Sequence, residues 1–178
     1  MDNLLDDPSR RYEVDGIGLS PAGAKRYGVP RSLPSATIGS SASHYTQFLV
    51  VGPYGFSAGM IAVDPQTARS VQGFGDIEPE GRFLATGRTH PDSRTGPIAA
   101  QTWSLYRRLF GMLAEADVAP SAILSCTVFL SDPGATADFI RVHERIFAET
   151  GASSALQIVV VDEVGHKGTV VEIEITAP

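Results

Sequence analysis

The stretch Ser153–Pro178, SSALQIVVVDEVGHKGTVVEIEITAP, decides the fold. Two apolar runs flank a Gly165-His166-Lys167-Gly168 break. The second run alternates, with Glu172 and Glu174 on one side and Val171, Ile173 and Ile175 on the other. A period of two residues marks a half-buried β-strand. The first run, ALQIVVV, is apolar on both sides, as a strand covered on both faces would be. Together they predict a hairpin that ends the chain.

Working outward, DPGATADFIRVHERIFAETG (132–151) predicts a helix. Thr136 can cap it, Phe139, Val142 and Ile146 form its inner stripe, and Gly151 can end it. His143 lies beside the stripe, with no second ligand type at metal-binding spacing, so it reads as a packed histidine. Before that helix, AILSCTVFLS (122–131) predicts a largely buried strand carrying Cys126. Nothing adjacent would activate Cys126, which reads as a small buried hydrophobe.

The strongest helix signal starts at Pro97, a residue suited to a first helical position. Ile98, Thr102, Leu105, Leu109, Met112 and Ala116 recur at spacings of three and four, with Arg107, Arg108 and Glu115 on the wet side. Residues 73–96 read as a long loop that concentrates Arg88, His90, Asp92 and Arg94. Earlier still, TQFLVV (46–51) and GFSAGMIAV (55–63) predict two strands around a Gly-Pro-Tyr-Gly turn, with a third strand possible near Arg69–Gln72. Residues 1–40 are rich in Gly, Pro and Ser and read as an N-terminal extension or arm, leaving 41–178 as one domain; PAGAKRYG (21–28) could form one helical turn.

The resulting order is strand, strand, (strand), helix, strand, helix, strand, strand. This predicts an α+β fold: a single mixed sheet of about six strands with two helices on one face. Two helices leave the other face of an apolar sheet open, and self-association is the simplest cover, so a homo-oligomer is expected.

Composition sets the bounds. The 178 residues carry a net charge of −6 and a single cysteine. The charge and the lack of a basic stripe speak against a nucleic-acid partner or an anionic membrane. No apolar run approaches the roughly 20 residues of a membrane span, and the acidic N-terminus is unlike a secretory signal. A cytoplasmic location is expected by elimination. No Walker A loop, GxGxxG after a strand, GxSxG or HExxH is present. GFSAG (55–59) only approximates a nucleophile elbow, because a strand pattern follows it instead of a helix.

Four segments carry a family resemblance: YTQFLVVGPYGFSAGMIAVDP (45–65), PIAAQTWSLYRRLFGMLAEADVAPSAILSCTVFLSD (97–132), DFIRVHERIF (138–147) and SALQIVVVDEVGHKGTVVEIEITA (154–177). They resemble the RidA/YjgF family, also called endoribonuclease L-PSP-like. The resemblance implies a chorismate-mutase-like fold, a homotrimer with sites in the clefts between subunits, and chemistry without metal or organic cofactor. The archetypal members hydrolyse enamine and imine intermediates to 2-keto acids and ammonia.

By resemblance Tyr45, Gly59 and Glu172 match site positions: a hydrogen-bonding tyrosine, the bend glycine and a water-positioning or general-base glutamate. The family's carboxylate-binding arginine falls on Leu156, its bend serine on Ala58 and the glutamine after it on Met60, its helix asparagine on Ile140, and its cysteine on Ile158. A bidentate arginine–carboxylate contact is strong and oriented, and leucine offers no donor. The expected substrate is therefore a small imine, enamine or enol metabolite with an apolar or aromatic part, and not 2-aminoacrylate. Arg88, His90 or Arg94 would bind any acidic group. The other reading is a non-catalytic trimer that holds a small ligand in the same clefts.

Overall fold

The computed structural model describes residues 18–33, 46–64, 67–85 and 97–178. Helix α1 (Pro21–Tyr27) and strand β1 (Arg31–Ser32) come from the arm. Strands β2 (Phe48–Val51), β3 (Tyr54–Ser57) and β4 (Met60–Ile61) follow, then helix α2 (Ile98–Glu115), strand β5 (Ser125–Leu130), helix α3 (Thr136–Thr150), and strands β6 (Ala155–Val160) and β7 (Val171–Ala177). They form one mixed seven-stranded sheet in the order β1-β2-β3-β7-β5-β6, with β4 also paired to β7. Against the expected count, β1 is added at the edge by pairing antiparallel to β2, and the expected strand over 55–63 is divided into β3 and β4.

Strands β5, β6 and β7 depart from the expected closing hairpin. β6 runs parallel to β5, and β7 runs antiparallel to the other edge of β5. β5 therefore separates the two runs that the sequence places side by side. The physical reason is the crossover. α3 connects β5 to β6, and a strand–helix–strand unit returns the chain parallel to its start. Residues 161–170 then pass over the end of β5 before β7 begins.

α2 and α3 cover one face. The inward residues of β5 and β7 (Cys126, Val128, Leu130, Val171, Ile173, Ile175, Ala177) join Leu105, Leu109, Leu113, Phe139, Val142 and Ile146 in one core. Full burial of each large side chain stabilises by roughly 1.5–3 kcal/mol. α2 is buried more widely than a single stripe requires, because residues Gln101–Tyr106 are all buried. The sheet lies on one side and α3 on another, while Gly81 of a 3-10 segment (Pro79–Ala85) packs against Trp103. That segment occupies part of the expected 73–96 loop. The third strand near Arg69–Gln72 reduces to a single bridge, Val63 to Ser70.

Two capping expectations shift by one residue, and one side chain expected on the wet side turns inward. Pro97 is the cap residue before α2, not its first turn. Thr136 begins α3, with its hydroxyl donating to Pro133 O, while Asp132 caps the preceding 3-10 turn. Arg108 turns inward and donates to Val63 O. Gly151 ends α3 in the left-handed region (φ 67°), a conformation that favours glycine.

Cys126 and His143 are both buried. They lie in a short polar chain: Ser154 Oγ donates to Cys126 Sγ (3.6 Å), and Tyr106 Oη lies 2.6 Å from His143 Nδ1.

Candidate functional site

The sheet breaks its ladder beside β7. Phe56 pairs with Thr176 and Met60 with Ile173, so residues 57–59 face only residues 174 and 175. One residue is inserted, which is a β-bulge. The bulge is held from both sides. Ser57 Oγ accepts the Ile175 N–H at 2.8 Å, and the Ala58 N–H donates to Gln47 O at 2.9 Å. It places Gly59 against Glu172, so closely that a Cβ on Gly59 would lie 1.8 Å from Oε1. Glycine is required here by the close approach of a side chain.

Glu172 sits on the face that α2 and α3 do not cover, paired laterally with Phe129 of β5 and Ile61 of β4. Burial is the main cause of its raised pKa, Glu174 two residues along adds repulsion, and a hydrogen bond from the Gly165 N–H opposes both. A half-buried carboxylate that keeps its proton more readily than usual is a stronger base than an exposed glutamate.

Leu156 and Ile158 lie elsewhere. In register, Leu156 is level with Cys126 and Ile158 with Val128, on the helix-side face of the sheet. Side chains alternate along a strand, so in one chain Leu156 and Glu172 are on opposite faces. Leu156 is 38% exposed and Val160, on the same side, 52%, because β6 is the edge strand. Of the other expected site residues, Ala58 and Gly59 are in the bulge with Glu172. Tyr45, Arg88, His90 and Arg94 lie outside the described residues. Among the described residues no group of three or more His, Cys, Asp or Glu is arranged to hold a metal, and no helix is long and apolar enough to cross a membrane.

Two supports of the site were not read from the sequence. Ser57 carries the bulge, although it is the residue beside the expected bend position. Gln101 ties the 165–170 segment to α2: its Nε2 donates to Val71 O (2.8 Å) and Gly168 O (2.7 Å), and its Oε1 accepts the Val170 N–H (2.9 Å). A glutamine inside an apolar helical stripe is the signal that would have found it, since a buried amide needs partners.

Solved structures share this architecture. A putative endoribonuclease from Klebsiella pneumoniae is 23% identical with a TM-score of 0.67, covering 75% of this chain and 98% of its own. E. coli TdcF with bound serine is 20% identical with a TM-score of 0.64, covering 83% of this chain and 97% of its own. The E. coli YjgF gene product is 20% identical with a TM-score of 0.63 and the same coverage. No curated protein matches the chain. The Endoribonuclease L-PSP family model matches residues 77–178, more than half of the chain. That match takes in α2, α3 and the strands β5 to β7 that carry Glu172, and the chain belongs to the endoribonuclease L-PSP (RidA/YjgF) family.

Proposed function

We propose that this protein is a cofactor-free deaminase, hydrolase or lyase-like enzyme acting on a small imine, enamine or enol metabolite with an apolar or aromatic part. It works in clefts between the subunits of a homotrimer. The observation that carries this reading is the half-buried Glu172 carboxylate, pressed on Gly59 and held by the Gly165 N–H, with its pKa raised. Glu172 takes a proton from an attacking water or from the substrate, and its burial strengthens it as a base for that step.

The opposite placement of Leu156 and Glu172 supports the oligomer. For both to line one cleft, Leu156 must come from a neighbouring copy. An exposed apolar edge strand calls for such a cover. Leu156 in place of a cation favours an apolar substrate portion, because an unpaired carboxylate buried beside leucine is costly. TdcF, a structural relative, holds the small amino acid serine, which accords with a small-metabolite site. An endoribonuclease activity is disfavoured by the net charge of −6.

The test is ammonia release from imines of branched and aromatic 2-keto acids, generated in place by an amino-acid oxidase. Turnover should fall about 10²–10⁴-fold in Glu172→Gln. Turnover that is untouched by that change would sink the mechanism. The apolar residues at Leu156 and Ile158 also suit a second reading, a trimeric ligand-binding protein. Saturable ligand binding without any Glu172-dependent product would decide for it. Light scattering should give a mass of three chains, and a monomer would dispose of the shared cleft.

A further inference from the structure

The Glu172 carboxylate meets backbone on two sides. Gly59 packs on Oε1, while Oε2 lies beside Gly165, whose N–H donates to the carboxylate.

The direction of that N–H is set from the far end of its own peptide. The Val164–Gly165 unit is planar, so its C=O points away from its N–H. Val164 O accepts the His166 N–H at 2.6 Å, which closes a three-residue turn centred on Gly165. The Thr169 hydroxyl donates to His166 O at 2.5 Å, beside the Thr169 N–H at 3.0 Å, and reaches Val164 O at 3.5 Å. Thr169 therefore fixes the residue that fixes Val164 O. A carbonyl that accepts hydrogen bonds also makes the N–H of the same peptide a better donor. Thr169 is buried, and the next residue is fastened to α2, because Gln101 accepts the Val170 N–H. The turn thus stands on a helix.

The charges around Glu172 leave this contact a clear task. β4, β5 and the bulge face it with Ile61, Phe129 and Gly59, none of which titrates. Glu174 on its own strand repels it, and the connection to β7 carries Asp162, Glu163, His166 and Lys167. The Gly165 N–H is the contact that favours the ionised form.

We propose that Thr169 is a positioning residue for Glu172: its hydroxyl locks the turn that aims the Gly165 N–H at the carboxylate. This role rests on the reading of Glu172 as a base and adds the group that orients it.

The test follows the ¹³C carboxyl signal of Glu172 in the full-length protein through a pH titration, assigned by its loss in Glu172→Gln. In the wild type the Gly165 amide proton should shift with the same midpoint as the carboxyl. Thr169→Val removes the hydroxyl and nearly keeps the shape. Its midpoint should rise by about one pH unit, because a weakened N–H bond disfavours the ionised form. Thr169→Ser restores the hydroxyl and should return the midpoint to the wild-type value. In imine turnover the acidic limb of kcat/KM should move by the same amount, whereas a merely structural loss would lower the rate at every pH and leave the midpoint in place. A Gly165 amide proton that ignores the carboxyl titration overturns the proposal without any variant, and so does an unmoved midpoint in Thr169→Val. The titration reads the carboxyl directly, so absence of turnover would count against the reaction and not against this contact.

Discussion

The carboxylate of Glu172 rests on the α-carbon of Gly59, so closely that any side chain there would collide with Oε1. Gly59→Ala must therefore push Glu172 aside or distort the bulge. Inserting a methyl into a filled space typically costs about 1–3 kcal/mol. Urea unfolding should show a loss of that order for Gly59→Ala. In a Glu172→Ala background the same change should cost close to nothing, because the clash is gone. Equal costs in the two backgrounds would show that Gly59 serves some other contact.

Glu172 should also leave a signature in stability against pH. Its folded pKa is raised, by burial first and Glu174 second. Above the unfolded carboxyl value of about 4.3, the folded protein keeps a proton on Glu172 that the unfolded chain has released. Stability then falls as pH rises through this window. Glu172→Gln removes the ionisation and still accepts the Gly165 N–H. Its melting temperature should exceed that of the wild type at pH 7, and the gain should vanish below about pH 4. A lower melting temperature at pH 7 would mean that the ionised form is the better-held one.

Glu172 and Gly59 are singled out by the resemblance alone, and it is the bulge that brings them into contact. The alternation of VEIEITA and the inner stripes of α2 and α3 follow from local periodicity, which the backbone geometry imposes directly. The pairing of β6 and β7 does not. Two apolar runs around a glycine-rich break look alike whether they touch each other or flank a third strand, and only the α3 crossover distinguishes the cases. Gly165 shows the same limit. It reads as a turn residue, while its role as a donor to Glu172 depends on the path of the β6–β7 connection over the end of β5.

Gln101 should behave as the clip of that loop. It is fully buried, and its amide satisfies Val71 O, Gly168 O and the Val170 N–H. Gln101→Leu keeps the volume and takes the side-chain partner from Val71 O and the Val170 N–H, while Gly168 O keeps Gln72 Nε2 at 3.2 Å. Each buried orphan costs about 1–3 kcal/mol, so a loss of about 2 kcal/mol or more is expected in urea unfolding. Amide exchange at Val170 should accelerate more than exchange at Val128 in the sheet core. Uniform acceleration would assign Gln101 to the core as a whole instead of to the loop.

His143 predicts a second, opposite pH dependence. Burial lowers its pKa, partly offset by Glu144. It packs between Phe139 and Phe147, with the ring of Phe147 4.0 Å away, and meets the Tyr106 hydroxyl. As pH falls below the unfolded histidine value of about 6.5, the unfolded chain takes up a proton that the folded protein resists. The stability from a neutral His143 is complete above that value and is lost as pH falls towards the lowered folded pKa. His143→Phe keeps the aromatic packing and removes the titration, leaving the Tyr106 hydroxyl without its nitrogen partner at a cost of about 1–3 kcal/mol. The variant should be less stable than the wild type at pH 7.5, and the gap should narrow at pH 5.5. Parallel stability curves at the two pH values would show that His143 does not titrate between them in either state.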